Sequence, residues 1–338
     1  MTKGLPEELC ETYPRADPSD PPEQQRCLVV GGGLIGAHVA RELVRSGSEV
    51  TLISSSVSRW FDGVPEAAHV EIVRNDIGHS EPFSQRSREL DELVAGADVV
   101  FMLAGRSTPA LSDRDAVGSI VESIVPTLSL LESLRRTGTK RIVIATSGGT
   151  IYGRVRFVPT PETHPTEPIS AHGVNSLAIE SYANFFARAY GLVPTILRCS
   201  NVYGPGQTMR GAFAVIAAWF GAALTESPAY LIGEGDVRRD FIYAEDVARA
   251  TVIASRIEAG GTFNVGSGQA TSLGELLTKI QSVSGRSLAV ERLEPRAVDV
   301  PQTCLDTERL GALTGWRPEI ELDLGLRRTW EWLVSTAP

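Results

Sequence analysis

A short apolar run, Arg26-Cys27-Leu28-Val29-Val30, passes directly into Gly31-Gly32-Gly33-Leu34-Ile35-Gly36 and then into a pattern of helical period that continues through Arg45. This is G-x-G-x-x-G between a strand and a helix, a context that raises it above a chance match. The glycines permit a tight turn, a close approach of backbone to a pyrophosphate, and close packing of helix on strand. The free N–H groups of the first helical turn face the anion. Gly31, Gly33, Leu34, Ile35 and Gly36 are therefore candidate contacts to a dinucleotide, the alternative being an ordinary glycine-rich turn. A chain that starts this way is expected to build an α/β fold around a doubly wound parallel sheet.

The remaining strands follow in order. Glu49 to Ile53 reads as the second, ending in Ser54-Ser55-Ser56 with Arg59 close behind. An Asp or Glu at that point would hold the adenosine ribose diol of NAD, and none is present. Hydroxyls at Ser54 and Ser55 with Arg59 suit a 2′-phosphate, which favours NADP slightly over NAD; the alternative is that the serines are plain loop residues. Val70 to Arg74 is expected as the third strand. Asp98 to Leu103 is the fourth, with Leu103, Ala104 and Gly105 small enough at its end for backbone to lie against a cofactor. A helix is expected from about Asp113 to Arg136, with Ile120, Ile124, Leu128 and Leu131 near helical spacing. Arg141 to Ala145 is the fifth strand and delivers Thr146-Ser147-Gly148-Gly149-Thr150 to the carboxyl edge of the sheet. There the Ser147 and Thr150 hydroxyls either face a ligand or cap the turn. Ser170 is a plausible N-cap for the next helix, in which His172 and Ser176, four residues apart, share one face. Val193 to Leu197 is the sixth strand.

Composition narrows the function classes. A chain of 338 residues has ample core for one large α/β domain or two lobes sharing a cleft, and 42% hydrophobic with 22% charged residues is the balance of a globular protein. No uninterrupted apolar run approaches the roughly 18 residues that span a bilayer, and no secretion signal is seen, so no membrane association and a cytoplasmic location are expected. A net charge of −9 argues against a nucleic-acid surface. The four cysteines are scattered without C-x-x-C and the five histidines form no ligand cluster, so no metal is expected. Residues 1–25, with five prolines among acidic and polar neighbours, read as a disordered or extended arm.

The stretch P-T-E-P-I-S-A-H-G-V-N-S-L-A-I-E-S-Y around His172 resembles the active-site helix of the extended short-chain dehydrogenases/reductases, the NAD-dependent epimerase/dehydratase family that remodels nucleotide-diphosphate sugars. The resemblance runs from about Arg26 to Trp332. It includes S-G-G-T-I-Y-G at Ser147, R-C-S-N-V-Y-G-P at Arg198, G-E-G-D-V-R-R-D-F-I-Y at Gly233, F-N-V-G-S-G at Phe263 and R-A-V-D-V-P at Arg296. It implies a Rossmann-type domain at residues 26–200 plus about 239–265, and a smaller C-terminal α/β substrate lobe at 201–238 and 266–338. It further implies that Asp76 and Ile77 meet the adenine, although a bland turn Asp is an equal reading. Asn201, Arg239, Arg296 and Asp299 are implied contacts to the nucleotide-diphosphate sugar, Arg239 because a guanidinium fork matches phosphate oxygens. A homodimer through helices near 113–136 and 171–190 is implied as well.

One departure is large. The family carries Tyr where this chain has His172 and Lys where it has Ser176. The Tyr exchanges the proton with the sugar oxygen, and the Lys lowers its pKa and holds the nicotinamide ribose. An imidazole, with an ordinary pKa near ~6.5, can exchange a proton at neutral pH without an ammonium beside it. Ser176 is shorter and uncharged, so weaker cofactor holding is expected. Reduction of a 4-keto sugar nucleotide, with His172 as proton donor and Ser147, Thr150 and Ser176 beside it, asks least of such a site. A 4-epimerase and a catalytically inactive binding or regulatory module are the alternatives.

Overall fold

The structure is a computed structural model that describes residues 25–75, 85–105, 109–207, 214–294 and 300–336. The N-terminal arm through residue 24, and the site candidates Asp76, Ile77, Arg296 and Asp299, lie outside the described residues.

Seven parallel strands form the main sheet. They are β1 (Arg26–Gly32), β2 (Glu49–Val57), β3 (Val70–Val73), β4 (Val99–Met102), β5 (Arg141–Ser147), β6 (Val193–Cys199) and, after β7 (Asn201–Tyr203), β8 (Ala229–Ile232) and β9 (Arg238–Tyr243), the last member β10 (Gly261–Val265). Their order is β10-β6-β5-β4-β1-β2-β3, each neighbouring pair parallel. Alternate residues supply two separate cores, as a sheet buried on both faces requires. Cys27, Val29, Leu52, Val99 and Phe101 pack with helices α1 (Leu34–Arg45) and, later in the chain, Ala244–Ala254. Leu28, Val30, Ile53, Val100 and Met102 pack on the other side, against α2 (Gln85–Ala95), the helix Ala116–Thr137 and the helix Ala171–Tyr190. A third core, with Tyr203, Trp219, Phe220, Phe241, Leu276 and Leu326, lies among the short strands and helices that follow β7.

Two expected elements differ. The second strand does not stop at Ile53 but runs to Val57, with the pairing to β1 jumping from Val30↔Ile53 to Gly32↔Val57. Three serines thus bulge opposite Gly31. The helix expected from Asp113 is two helices, α3 (Pro109–Arg114) and α4 (Ala116–Thr137), broken where the Asp115 carboxylate accepts the Gly118 N–H and caps the second. By length and composition α4 is apolar enough to cross a membrane, but Ser119, Ser123, Thr127, Leu130, Leu131 and Leu134 are buried in the fold, as in a core helix. Cys27, Cys199 and Cys304 are buried free thiols.

Candidate active site

The chain turns back on itself between β3 and β4, so the carboxyl ends of β1 and β4 border the switch point where open α/β sheets hold ligands. There Gly31, at φ +107°, lies with its backbone against Leu103 and Ala104, and a Cβ would stand 2.5 Å from the Ala104 nitrogen. A Cβ on Gly36 would overlap the Gly31 carbonyl oxygen, so this glycine is what lets α1 start so close to β1. Gly33 and Gly105 behave differently, since a Cβ at either meets nothing within 4 Å. Gly33 is the N-cap of α1, ahead of Leu34 and Ile35, and no side chain caps it. Free N–H groups with open space before them fit a dinucleotide pyrophosphate.

At the end of β2 the three serines separate. Ser54 Oγ accepts the Gly32 N–H at 3.0 Å and donates to the Ser56 carbonyl at 2.6 Å, which commits it to the bulge. Ser55 and Arg59 are exposed and remain able to meet a ligand from solvent.

The turn after β5 is folded by the Thr150 and Ile151 N–H groups donating to the Ser147 carbonyl. A Cβ on Gly149 would come within 4.0 Å of both Ser147 Oγ and Asn201 Nδ2, so these two side chains border one space. Asn201 is anchored by donating to the Asp240 carbonyl at 3.0 Å and also lines a cavity of about 140 Å³ with Gln207, Val215 and Phe241. Two buried oxygens here have no partner among the described residues, Thr150 Oγ1 and Gln207 Oε1. Buried polar atoms are rarely left unpaired, so each is a position a ligand would satisfy. Gln207 was not anticipated from sequence, and its place directly after the G-P-G turn was the available signal.

Helix α5 (Ala171–Tyr190) begins as expected, with Ser170 Oγ accepting the Gly173 N–H at 3.2 Å. Its first turn presses on the β5 turn, because a Cβ at Gly173 would stand 2.6 Å from the Thr150 carbonyl oxygen. This brings His172 to the same edge as Thr150. His172 is half-buried, and loss of water around the ring lowers its pKa below the ordinary imidazole value while the Asp113 carboxylate pulls it back up. Ser176 is buried, and its hydroxyl donates to the His172 carbonyl at 3.0 Å, one turn back on its own helix. It extends no group beyond the helix surface.

Among the described residues, the phenol of Tyr152 and the amines of two lysines are engaged elsewhere. Tyr152 donates to Asn264 Oδ1 at 2.7 Å and accepts from Arg198 Nη1 at 2.9 Å, and burial pushes its pKa up to about 12. Of the chain's lysines, Lys140 bonds the Tyr190 carbonyl and Lys279 pairs with Asp323, while Lys3 lies outside the described residues. The Arg198 and Glu180 charges form a buried pair at 2.7 Å that ties α5 to β6, with Thr146 Oγ1 donating to the same carboxylate.

On the substrate side, Arg239 on β9 is half-buried and donates from Nη1 to the Arg238 carbonyl at 2.9 Å. Its neighbour Asp240 is buried and accepts from the Ser267 and Leu305 N–H groups and from the Ser200 and Ser267 hydroxyls. Desolvation raises the Asp240 pKa and these donors work against the rise. Asp246 organises backbone, taking the Glu319 and Ile320 N–H groups.

Comparison with known proteins bears on the family and the fold. The model of the NAD dependent epimerase/dehydratase family matches residues 27–266. The UDP-glucose 4-epimerase of Thermotoga maritima, solved with UDP-glucose, is 30% identical over 93% of this chain and 100% of that one, with a TM-score of 0.82. The UDP-glucose 4-epimerase of Thermus thermophilus, solved with NAD, is 29% identical over 92% of this chain and 100% of its own, with a TM-score of 0.83. The dTDP-4-dehydro-6-deoxyglucose reductase of Escherichia coli is 29% identical over 88% of this chain and 94% of its own length.

Proposed function

The chain belongs to the NAD dependent epimerase/dehydratase family, and from that premise we propose that it reduces a 4-keto (deoxy)sugar nucleotide with NADPH, His172 donating the proton. The observation that carries this reading is the Ser176 hydroxyl turned onto the His172 carbonyl, which spends its proton there and leaves position 176 only an uncharged acceptor with which to hold the nicotinamide ribose. An epimerase must oxidise, keep the reduced cofactor and return the hydride to the other face. A reductase needs one hydride and one proton, and its cofactor can leave after each turnover.

When bound, the reduced nicotinamide supplies the hydride to the carbonyl carbon. His172, as imidazolium, gives its Nδ1 or Nε2 proton to the carbonyl oxygen, and the product is the alcohol. Ser147 and Thr150 donate hydroxyl hydrogen bonds to that oxygen and orient it; the unpartnered Thr150 Oγ1 supports this. Asn201 and Arg239, with Arg296 and Asp299, hold the nucleotide diphosphate. Gly31, Gly33, Leu34, Ile35, Gly36, Leu103, Ala104 and Gly105 form the dinucleotide cradle, with Asp76 and Ile77 at the adenine. Ser55 and Arg59, exposed beyond the β2 bulge, support a preference for the 2′-phosphate over the plain ribose. The seven-stranded sheet with its helices, residues 26–200 plus about 239–265, is the dinucleotide domain in this reading, and residues 201–238 and 266–338 form the substrate lobe.

A second copy of the chain is proposed to pack on α4 and α5, where Val117, Ile120, Val174, Tyr182 and Phe185 are exposed large hydrophobic side chains.

The test is NADPH oxidation in the presence of a panel of 4-keto-6-deoxy nucleotide sugars. Consumption of NADPH with formation of the alcohol supports reduction. Retained NAD with interconversion of a hexose nucleotide and its 4-epimer, the activity named for the Thermotoga and Thermus proteins, would replace it with the second reading. Binding of dinucleotide or sugar nucleotide without turnover would leave a binding module.

A further inference from the structure

Gln207 follows the turn Gly204-Pro205-Gly206, which its own N–H closes by donating to the Gly204 carbonyl at 3.3 Å. Two side chains from much earlier in the chain hold the carbonyls of that turn. His38, on α1, is 2% exposed and lies with Nε2 2.9 Å from the Pro205 oxygen. A carbonyl only accepts, so Nε2 carries the proton and donates. Ser58, directly after β2, donates from Oγ to the Gly206 oxygen at 3.2 Å. The approach is close enough to require glycine: Gly206 is at φ +96°, and a Cβ there would stand 2.5 Å from Ser58 Oγ and 3.2 Å from Trp60 Cβ. Trp60 in turn stacks on the His38 ring at 3.7 Å.

The turn delivers an amide whose orientation is fixed. Gln207 Nε2 donates to the Val202 carbonyl on β7 at 3.2 Å, so Oε1 is the end left open. Gln207 lines the cavity of about 140 Å³ with Asn201 and Phe241, and its Oε1 is buried with no partner among the described residues. An acceptor in that state asks for an N–H or O–H donor, and a nucleotide sugar carries such donors on its base and its hydroxyls.

We infer that Gln207 binds substrate through Oε1, and that His38 and Ser58 are positioning residues that hold it there through the Pro205 and Gly206 carbonyls. The inference rests on the reading of this cavity as part of the nucleotide-sugar site. Each of the two hydrogen bonds is spent on a carbonyl within two residues of Gln207, so losing one slackens the backbone that aims the amide. The grip comes from the dinucleotide side of the fold: α1 starts at the glycine cradle, and Ser58 adjoins Arg59.

Calorimetry on the whole protein tests this without turnover. The probe is whichever of UDP-glucose, dTDP-glucose and GDP-glucose binds wild type most tightly, with the matching nucleoside diphosphate measured beside it. Gln207→Ala is expected to weaken the nucleotide sugar roughly threefold to tenfold, the worth of one hydrogen bond between uncharged groups. A loss shared by the nucleoside diphosphate puts the donor on the nucleoside, and a loss confined to the nucleotide sugar puts it on the sugar. Ser58→Ala is expected to give a similar loss and Ser58→Thr a smaller one, with NADPH affinity within about twofold of wild type. In a Gln207→Ala background, Ser58→Ala should cost nothing further. His38→Gln, which keeps an N–H for Pro205, should lose less affinity than His38→Leu, with thermal unfolding used to check that each is folded. In the reduction assay the same variants should raise the KM for the keto sugar and leave kcat near wild type. Unchanged binding in Gln207→Ala, or a Ser58→Ala loss that persists in full without the Gln207 amide, overturns the inference. Wild-type protein that binds a nucleotide sugar but reduces no keto sugar overturns the proposed reaction alone, and the calorimetric cycle still decides the part played by His38 and Ser58. Wild-type protein that binds none of the three overturns both.

Discussion

The Ser176 hydroxyl and the His172 backbone carbonyl are hydrogen-bonded at 3.0 Å within one helical turn, so the Ser176 side chain serves its own helix. A lysine at position 176 alone is expected to hurt. An ammonium beside an imidazole disfavours the imidazolium, so Ser176→Lys should lower kcat for reduction while tightening the dinucleotide. His172→Tyr alone should lose nearly all activity, because a phenol near pKa ~10 with no cation beside it exchanges protons poorly at neutral pH. The double variant should then exceed His172→Tyr, a coupling that a double-mutant cycle on kcat/KM would read. Additive losses would separate the two positions.

Reduction should slow as pH rises. Burial holds the His172 pKa below the ordinary imidazole value, so the donating form is a minority at neutral pH and shrinks further above it. The profile of kcat/KM for reduction is therefore expected to fall through the neutral range. His172→Gln should flatten it along with losing rate. A profile that rises with pH would point to a basic group instead.

Acid should destabilise the fold through His38. Its ring is buried, stacked 3.7 Å from Trp60 and bonded through Nε2 to the Pro205 carbonyl, and desolvation lowers its pKa to about 4. The unfolded chain takes up that proton near pH ~6.5, so stability is full above that pH and falls as pH drops toward 4. The loss from this residue is roughly 3 kcal/mol at the low end. Urea unfolding of wild type and His38→Gln at pH 7.5 and 4.5 measures it, and the variant should show the smaller difference between the two pH values.

The buried Glu180–Arg198 pair predicts a large effect from a small change. Their side chains are 5% and 9% exposed, so Glu180→Ala leaves a guanidinium and the Thr146 hydroxyl without their carboxylate. A cost of about 3–5 kcal/mol in denaturant unfolding is expected. A cost under about 1 kcal/mol would mean water reaches Arg198.

Two glycines of one motif should respond in opposite ways. Gly36→Ala drives a methyl into the Gly31 carbonyl and is expected to cost stability or solubility outright. Gly33→Ala meets no protein atom within 4 Å, so it should fold with near wild-type stability and lose dinucleotide affinity. Isothermal titration with NADPH and thermal unfolding separate these results, and unchanged affinity in Gly33→Ala would remove the pyrophosphate from that spot.

Much of this protein was legible in one dimension because the determinants are local. An apolar run before spaced glycines dictates strand, tight turn and helix, and Ser170 caps α5 with its own side chain. The same locality explains the errors. Ser54 looked like a ligand-facing hydroxyl, yet its partner is the Gly32 N–H across the β1–β2 pairing, and no pattern in the second strand announces a bulge. The helix read from Asp113 starts instead at Ala116, because the Asp115 carboxylate accepts the Gly118 N–H and caps it there. Residue types alone determined that His172 and Ser176 share a helix face and that no Tyr or Lys occupies those positions. Tertiary structure alone decided that Tyr152 is consumed by Arg198 and Asn264, and that Asp113 comes from 58 residues away to the Ala171 N–H. Contacts of that reach are set by how the sheet orders its strands and packs its helices, which no local run of sequence contains.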